Sequence, residues 1–147
     1  MTAYLDAGFL LTLIVRTPAS PLAQRVLRRA RAPFNLNFLH RLQAENLLAR
    51  AVLSGDKKEQ SAGLAGQRIW RHFLAEGVFQ VVTADWDTAL LVALKWNKAF
   101  AEAPPPPLLI LHPALATVSG ATHFLSFDPR PRSLAQTAGL KLLPERL

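Results

Sequence analysis

The sequence predicts an α/β fold built on a mainly parallel sheet, and three observations predict it. Short runs dense in β-branched and aromatic residues, such as "VFQVV" and "HFLSF", recur along the chain. Longer stretches with apolar residues at helical spacing separate them. Gly, Pro and Asp punctuate the junctions. Alternation of this kind is the pattern of a three-layer α/β/α arrangement, here with about five strands. A chain of 147 residues suits a single domain, 1–147.

The first strand is expected within residues 2–5, and "AGFLLTLIV" after Asp6 reads as a buried helix. In "TPASP", Ser20 is suited to cap the next helix and Pro21 to its first position. "LAQRVLRRARA" then places Leu22, Val26, Leu27 and Ala30 on one face, with Arg25, Arg28, Arg29 and Arg31 largely elsewhere. "PFNLNF" is the second strand, and "LHRLQAENLLARAVLSG" a helix ending near Gly55. "DKKEQSAGLAGQRIWRHFLAEG" is helical, weakened by Gly63 and Gly66 and stopped by Gly77. "VFQVV" is the third strand. Asp85 is placed to cap "WDTALLVALKWNKAF", and "APPPP" interrupts the chain without separating domains. "LLILHPALATVSG" is the next helical stretch, begun or kinked by Pro113. The strand "HFLSF", the helix "RSLAQTAG" closed by Gly139, and the strand "LKLLP" complete the chain.

Half of the residues are apolar and 18% are charged, which excludes a disordered polyelectrolyte. Seventeen Lys and Arg against ten Asp and Glu leave a net charge of +7, a balance that favours a polyanion or simply keeps the surface soluble. Without cysteine there is neither a disulfide nor a thiolate metal site. The apolar run from Phe9 to Val15 is too short to span a bilayer, and Asp6 lies where a secretory signal would be cationic. The expected location is cytoplasmic.

Against this basic background two acids stand at the ends of strand-like runs: Asp6 after "AYL" and Asp128 after "HFLSF". In parallel α/β sheets the site lies beyond the carboxyl ends of the strands, so neighbouring strands would bring both acids into one crevice. Glu45 is a third acid of interest, bordering the apolar stripe of its helix beside Leu42, Ala44 and Leu48. A carboxylate there needs compensation, either from an arginine or from a hard divalent cation.

"YLDAGFLL", "AENLLARAV" and "GATHFLSFDPRPRSLAQTAGLKLLP", in this order and spacing, resemble the PIN domain, with the VapC-type toxins of toxin–antitoxin pairs the nearest likeness. The likeness covers essentially the whole chain. It implies a metal-dependent endoribonuclease with acids around Mg²⁺ or Mn²⁺: Asp6 and Asp128 as ligands, and Glu45 as a ligand or the holder of a metal-bound water. Ser126 matches the small hydroxyl residue two positions before the last acid. RNA as substrate, a small antitoxin protein and a homodimer are implied in the same way.

Two positions depart from the family pattern. Leu109 stands where the family carries an acid three residues before His112, and Ala7 stands where a hydroxyl residue follows the first aspartate. A chain with three carboxylates is expected to bind the metal weakly. The alternative expectation is a PIN-fold protein that has lost cleavage and binds only RNA or a protein partner. His112 is a candidate substitute ligand or a structural polar residue. Arg25, Arg28 and Arg29 either follow a phosphate backbone or form a solvated helix face. His40, His72 and His123 show no metal spacing, and Trp70, Trp86 and Trp96 read as core.

Overall fold

The computed structural model describes residues 2–31, 33–100 and 103–146. Among them the chain forms seven α-helices and five three-residue strands, all strand pairs being parallel. The chain divides into two compact units, Met1–Asp6 with Thr83–Leu147, and Ala7–Val82.

The first unit is built on a three-stranded sheet in the order β1 (Ala3–Leu5), β4 (His123–Leu125) and β5 (Lys141–Leu143). Its register pairs Leu5 with Leu125 and Leu125 with Leu143. Helices α5 (Trp86–Asn97), α6 (Pro107–Val118) and α7 (Pro129–Thr137) pack in sequence beside one another. Asp85 caps α5 by accepting from the Thr88 backbone N–H at 3.0 Å, as its sequence position predicts. Pro113 neither begins nor ends α6; it lies buried inside that helix, which starts at Pro107. Proline has no N–H, so the Leu109 carbonyl one turn earlier lacks its usual helical donor. Tyr4 stacks on Phe124 with ring centroids 6.0 Å apart, and Leu5, Leu125, Ile110, Ala114 and Ala135 are buried.

The second unit carries a two-stranded sheet, β2 (Phe34–Leu36) beside β3 (Phe79–Val81). Its helices are α1 (Ala7–Ile14), α2 (Ser20–Ala30), α3 (Phe38–Val52) and α4 (Lys57–Ala75). Phe79 centres an aromatic cluster, edge-on to Phe73 at 5.4 Å and 6.2 Å from Phe34 and Trp70. Ser20 does not cap α2. Its hydroxyl donates to the Thr12 carbonyl at 2.6 Å and accepts from the Thr17 N–H at 2.9 Å, tying the α1–α2 turn instead. The cap of α3 is Asn37, whose Oδ1 accepts from the His40 N–H, while His40 Nδ1 accepts from the Asn37 N–H.

Gly63 and Gly66 do more than weaken α4. A Cβ at Gly63 would lie 2.8 Å from Ala51 Cβ and 2.9 Å from the Val52 backbone nitrogen. One at Gly66 would lie 2.6 Å from Leu48 Cδ2. The helical propensity lost at these positions is exchanged for close approach of α4 to α3. Gly77, with φ +66°, ends this helix in the left-handed conformation that its sequence position predicts.

Candidate active site

Asp6 immediately follows β1, and Asp128 lies three residues beyond the end of its neighbour β4. The backbone continues the pairing past the strands: the Asp6 N–H donates to the Leu125 carbonyl at 3.0 Å. Parallel pairing sends both chains out of the sheet at the same edge, so the two acids that the sequence singled out leave adjacent strands together. Asp6 is only 5% exposed, whereas Asp128 is half-buried.

Ser126 organises the turn between them. Its buried hydroxyl accepts the Asp128 N–H at 3.0 Å, and its own N–H donates to the Leu143 carbonyl at 3.2 Å. Asp128 is then the N-cap of α7, accepting from the Arg130 N–H at 2.9 Å. The Arg130 guanidinium closes on the same carboxylate, Nε to Oδ1 at 3.1 Å and Nη2 to Oδ2 at 2.7 Å. Hydrogen bonding from the Arg130 side chain holds the Asp128 carboxyl below its ordinary value, although partial burial opposes this.

Arg132 was not singled out by sequence reasoning, yet it is the buried cation of this region, 6% exposed. It donates from Nη1 to the Ser126 carbonyl at 2.9 Å and from Nη2 to the Pro144 carbonyl at 2.7 Å. Burial lowers its proton affinity and the negative charge of Asp6 raises it. The signal in the sequence was "DPRPR": prolines at alternate positions of the first helical turn, with arginines between and after them. Nearby, the Tyr4 hydroxyl and His112 Nδ1 lie 3.0 Å apart, both side chains buried, which gives His112 a structural partner. Ala7 is buried at the start of α1, and Leu109 is half-buried in the first turn of α6.

Glu45 belongs to the other unit and has a different environment. Ala44 and Leu48 on the stripe that it borders are buried, but Leu42 is 66% exposed and Glu45 itself is exposed. Its carboxylate accepts from Arg41 Nε at 2.7 Å in an exposed pair four residues apart. Of the two forms of compensation expected for this acid, the arginine is the one seen. On α2, Arg25, Arg28 and Arg29 are exposed, while Ser20, Ala23, Val26 and Ala30 form the buried face. Leu22 and Leu27, expected on that face, are half-buried. Trp70 is core; Trp86 and Trp96 are half-buried.

Among the described residues no group of three or more His, Cys, Asp or Glu side chains that could hold a metal ion is present, and no helix is long and apolar enough to cross a membrane. The chain matches no model of a known protein family and no curated protein.

Proposed function

We propose that the chain is a PIN-type, Mg²⁺- or Mn²⁺-dependent endoribonuclease of the VapC-like kind, with Asp6, Glu45 and Asp128 as its acids. One observation carries this reading: Asp6 and Asp128 leave the same edge of the hydrogen-bonded parallel strands β1 and β4. The fold that goes with it is a three-layer α/β/α arrangement about mainly parallel strands, whereas the five strands seen form two sheets, of three and of two.

The donor chemistry fits a hard divalent cation, because all three groups offer carboxylate oxygens and no sulfur. Arginine competes for two of them, Arg130 on Asp128 and Arg41 on Glu45. With Leu109 in place of a fourth acid, metal affinity is low. Asp6 and Asp128 would hold the ion, with Glu45 as a third ligand or the holder of a coordinated water. A bound ion of this kind offsets charge developing on a phosphodiester and acidifies water. Ser126 keeps Asp128 in place through its N–H, and Arg132 ties the β4 end to the chain after β5. RNA as substrate, a small antitoxin partner, a homodimer and a cytoplasmic location belong to the same proposal.

The test is cleavage of a structured RNA with Mg²⁺ or Mn²⁺. Cleavage should vanish in chelator and in Asp6→Asn. In parallel, the melting temperature of Leu109→Asp should rise more steeply with added Mn²⁺ than that of the unmodified chain, because a fourth carboxylate adds a ligand. Cleavage that survives Asp6→Asn would overturn the assignment. The absence of any cleavage would favour a second reading, an inactive PIN-fold protein that binds RNA or a partner. That reading is supported by Leu109, Ala7 and the Arg130 pair on Asp128.

A further inference from the structure

Helix α5 is apolar along its length and covered on little of it. Eight of its twelve residues are apolar, yet only Ala89 is buried. It packs beside α6, while Leu90, Leu91 and Leu94 are 47%, 67% and 59% exposed. Single exposed leucines are ordinary, but three on one helix surface form a continuous patch. A helix apolar on most sides is ordinarily enclosed by protein.

The patch has a pattern. Asp87, Leu91, Leu94 and Lys98 follow one another at steps of four, three and four, which keeps them on one face, with Leu90 beside them. Lys98 caps the helix in a helical conformation and so continues that face. Asp87 and Lys98 are exposed, and neither pairs with an oppositely charged side chain among the described residues. Their positions near the two ends of the helix dipole account for the charges. They do not account for the leucines between. Steps of four, three and four read the same in both directions. A second α5 laid antiparallel on the first therefore sets Leu91 against Leu94 and Asp87 against Lys98, twice over.

We infer that α5 is the contact between two copies of this chain, related by a two-fold axis that passes between Leu91 and Leu94. The surface is its own complement, as a closed two-fold dimer requires. The leucines of both copies exclude water at the centre, and the ion pairs at the rim fix the direction. A parallel alignment would instead face Asp87 with Asp87 and Lys98 with Lys98. A second copy supplies the matching charges at the matching spacing, and no other partner is needed. Helices of about 18 Å make a small interface, so the dimer is one that dissociates on dilution. A homodimer is part of the proposed function; this surface for it stands on α5 alone and holds whether or not the protein cleaves RNA.

Sedimentation equilibrium of the full chain, in chelator and over a range of micromolar concentrations, tests it. The unmodified chain should pass from monomer to dimer, with no larger species. Leu94→Asp, at an exposed position, should weaken the dimer about tenfold or more. Asp87→Lys and Lys98→Asp should each weaken it severalfold, because each sets like charges against each other. The double variant Asp87→Lys/Lys98→Asp restores both pairs with their signs exchanged, so it should dimerise more tightly than either single variant. Loss of helix stability alone would make the two changes worsen together. A chain that stays monomeric, a dimer indifferent to Leu94→Asp, or a double variant no tighter than the single ones would each overturn the surface. The first of these results would leave the patch to a different protein. Asp6→Asn separates the two proposals, since it should abolish cleavage and leave dimerisation intact.

Discussion

Asp6 and Glu45 carry the same charge in very different settings. Asp6 is 5% exposed at the end of a strand and interacts electrostatically with Arg132, which is itself buried and hydrogen-bonded to two carbonyls. Glu45 lies on the surface of α3, and its pair with Arg41 has both side chains about half exposed. A strand end fixes an acid through the backbone on which it sits. A helix surface holds one only through a neighbour four residues away, with water competing for both charges. The first arrangement is expensive and rigid, the second cheap and replaceable.

That contrast should be visible in stability, most strongly at Arg132. Arg132→Met removes the buried donors to the Ser126 and Pro144 carbonyls. Leaving a buried acceptor unsatisfied costs about 1–3 kcal/mol each, to be read from urea denaturation midpoints. A cost below about 1 kcal/mol would place Arg132 with the surface pairs and erase the distinction.

Asp128 should fall in between. Asp128→Ala removes the α7 cap and the Arg130 pair, at about 1 kcal/mol in chelator at neutral pH. Its carboxyl is held below the ordinary 3.8, so its stabilisation is complete above that value and is lost as the pH falls through the depressed one. The gap between the two proteins should therefore close in acid. A gap independent of pH would mean that the carboxylate's charge contributes nothing.

Glu45→Gln should have the smallest effect, about 0.3–0.5 kcal/mol, and that difference should shrink further in high salt. A salt-insensitive loss several times larger would show that Glu45 is held by more than Arg41.

The sequence made the strand–helix alternation legible because each element has its own period and its own punctuation. All five strands fall within the stretches that the pattern marks, as do α1, α4 and α5, whereas α2, α3, α6 and α7 begin one to three residues before theirs. Asp6 and Asp128 were legible for a related reason: an acid directly after an apolar run marks where a strand leaves its sheet. What the pattern could not carry was three-dimensional proximity. Glu45 was placed beside an apolar stripe, and Ala44 and Leu48 of that stripe are buried, but Leu42 and Glu45 itself face outward. Ser20 has the right residue type for a cap, yet its hydroxyl is taken by Thr12 and Thr17. Arg132 reads as one more basic residue in a chain with +7 net charge, and only the packing of α7 makes it a buried cation.

The absent methyl groups of α4 have a consequence for α3. Leu48 and Ala51, the residues that a Cβ at Gly66 or Gly63 would strike, lie one and two turns beyond Glu45 on the same helix. At Gly63 the atoms struck are Ala51 Cβ and the Val52 backbone nitrogen, so a side chain added there would lift α3 and swing Arg41 and Glu45 with it, whereas at Gly66 the Leu48 side chain would have to turn first. The bearing of that acid is thus set from a neighbouring helix, at positions with no side chain of their own. A comparison of variants confined to charged residues would never find them.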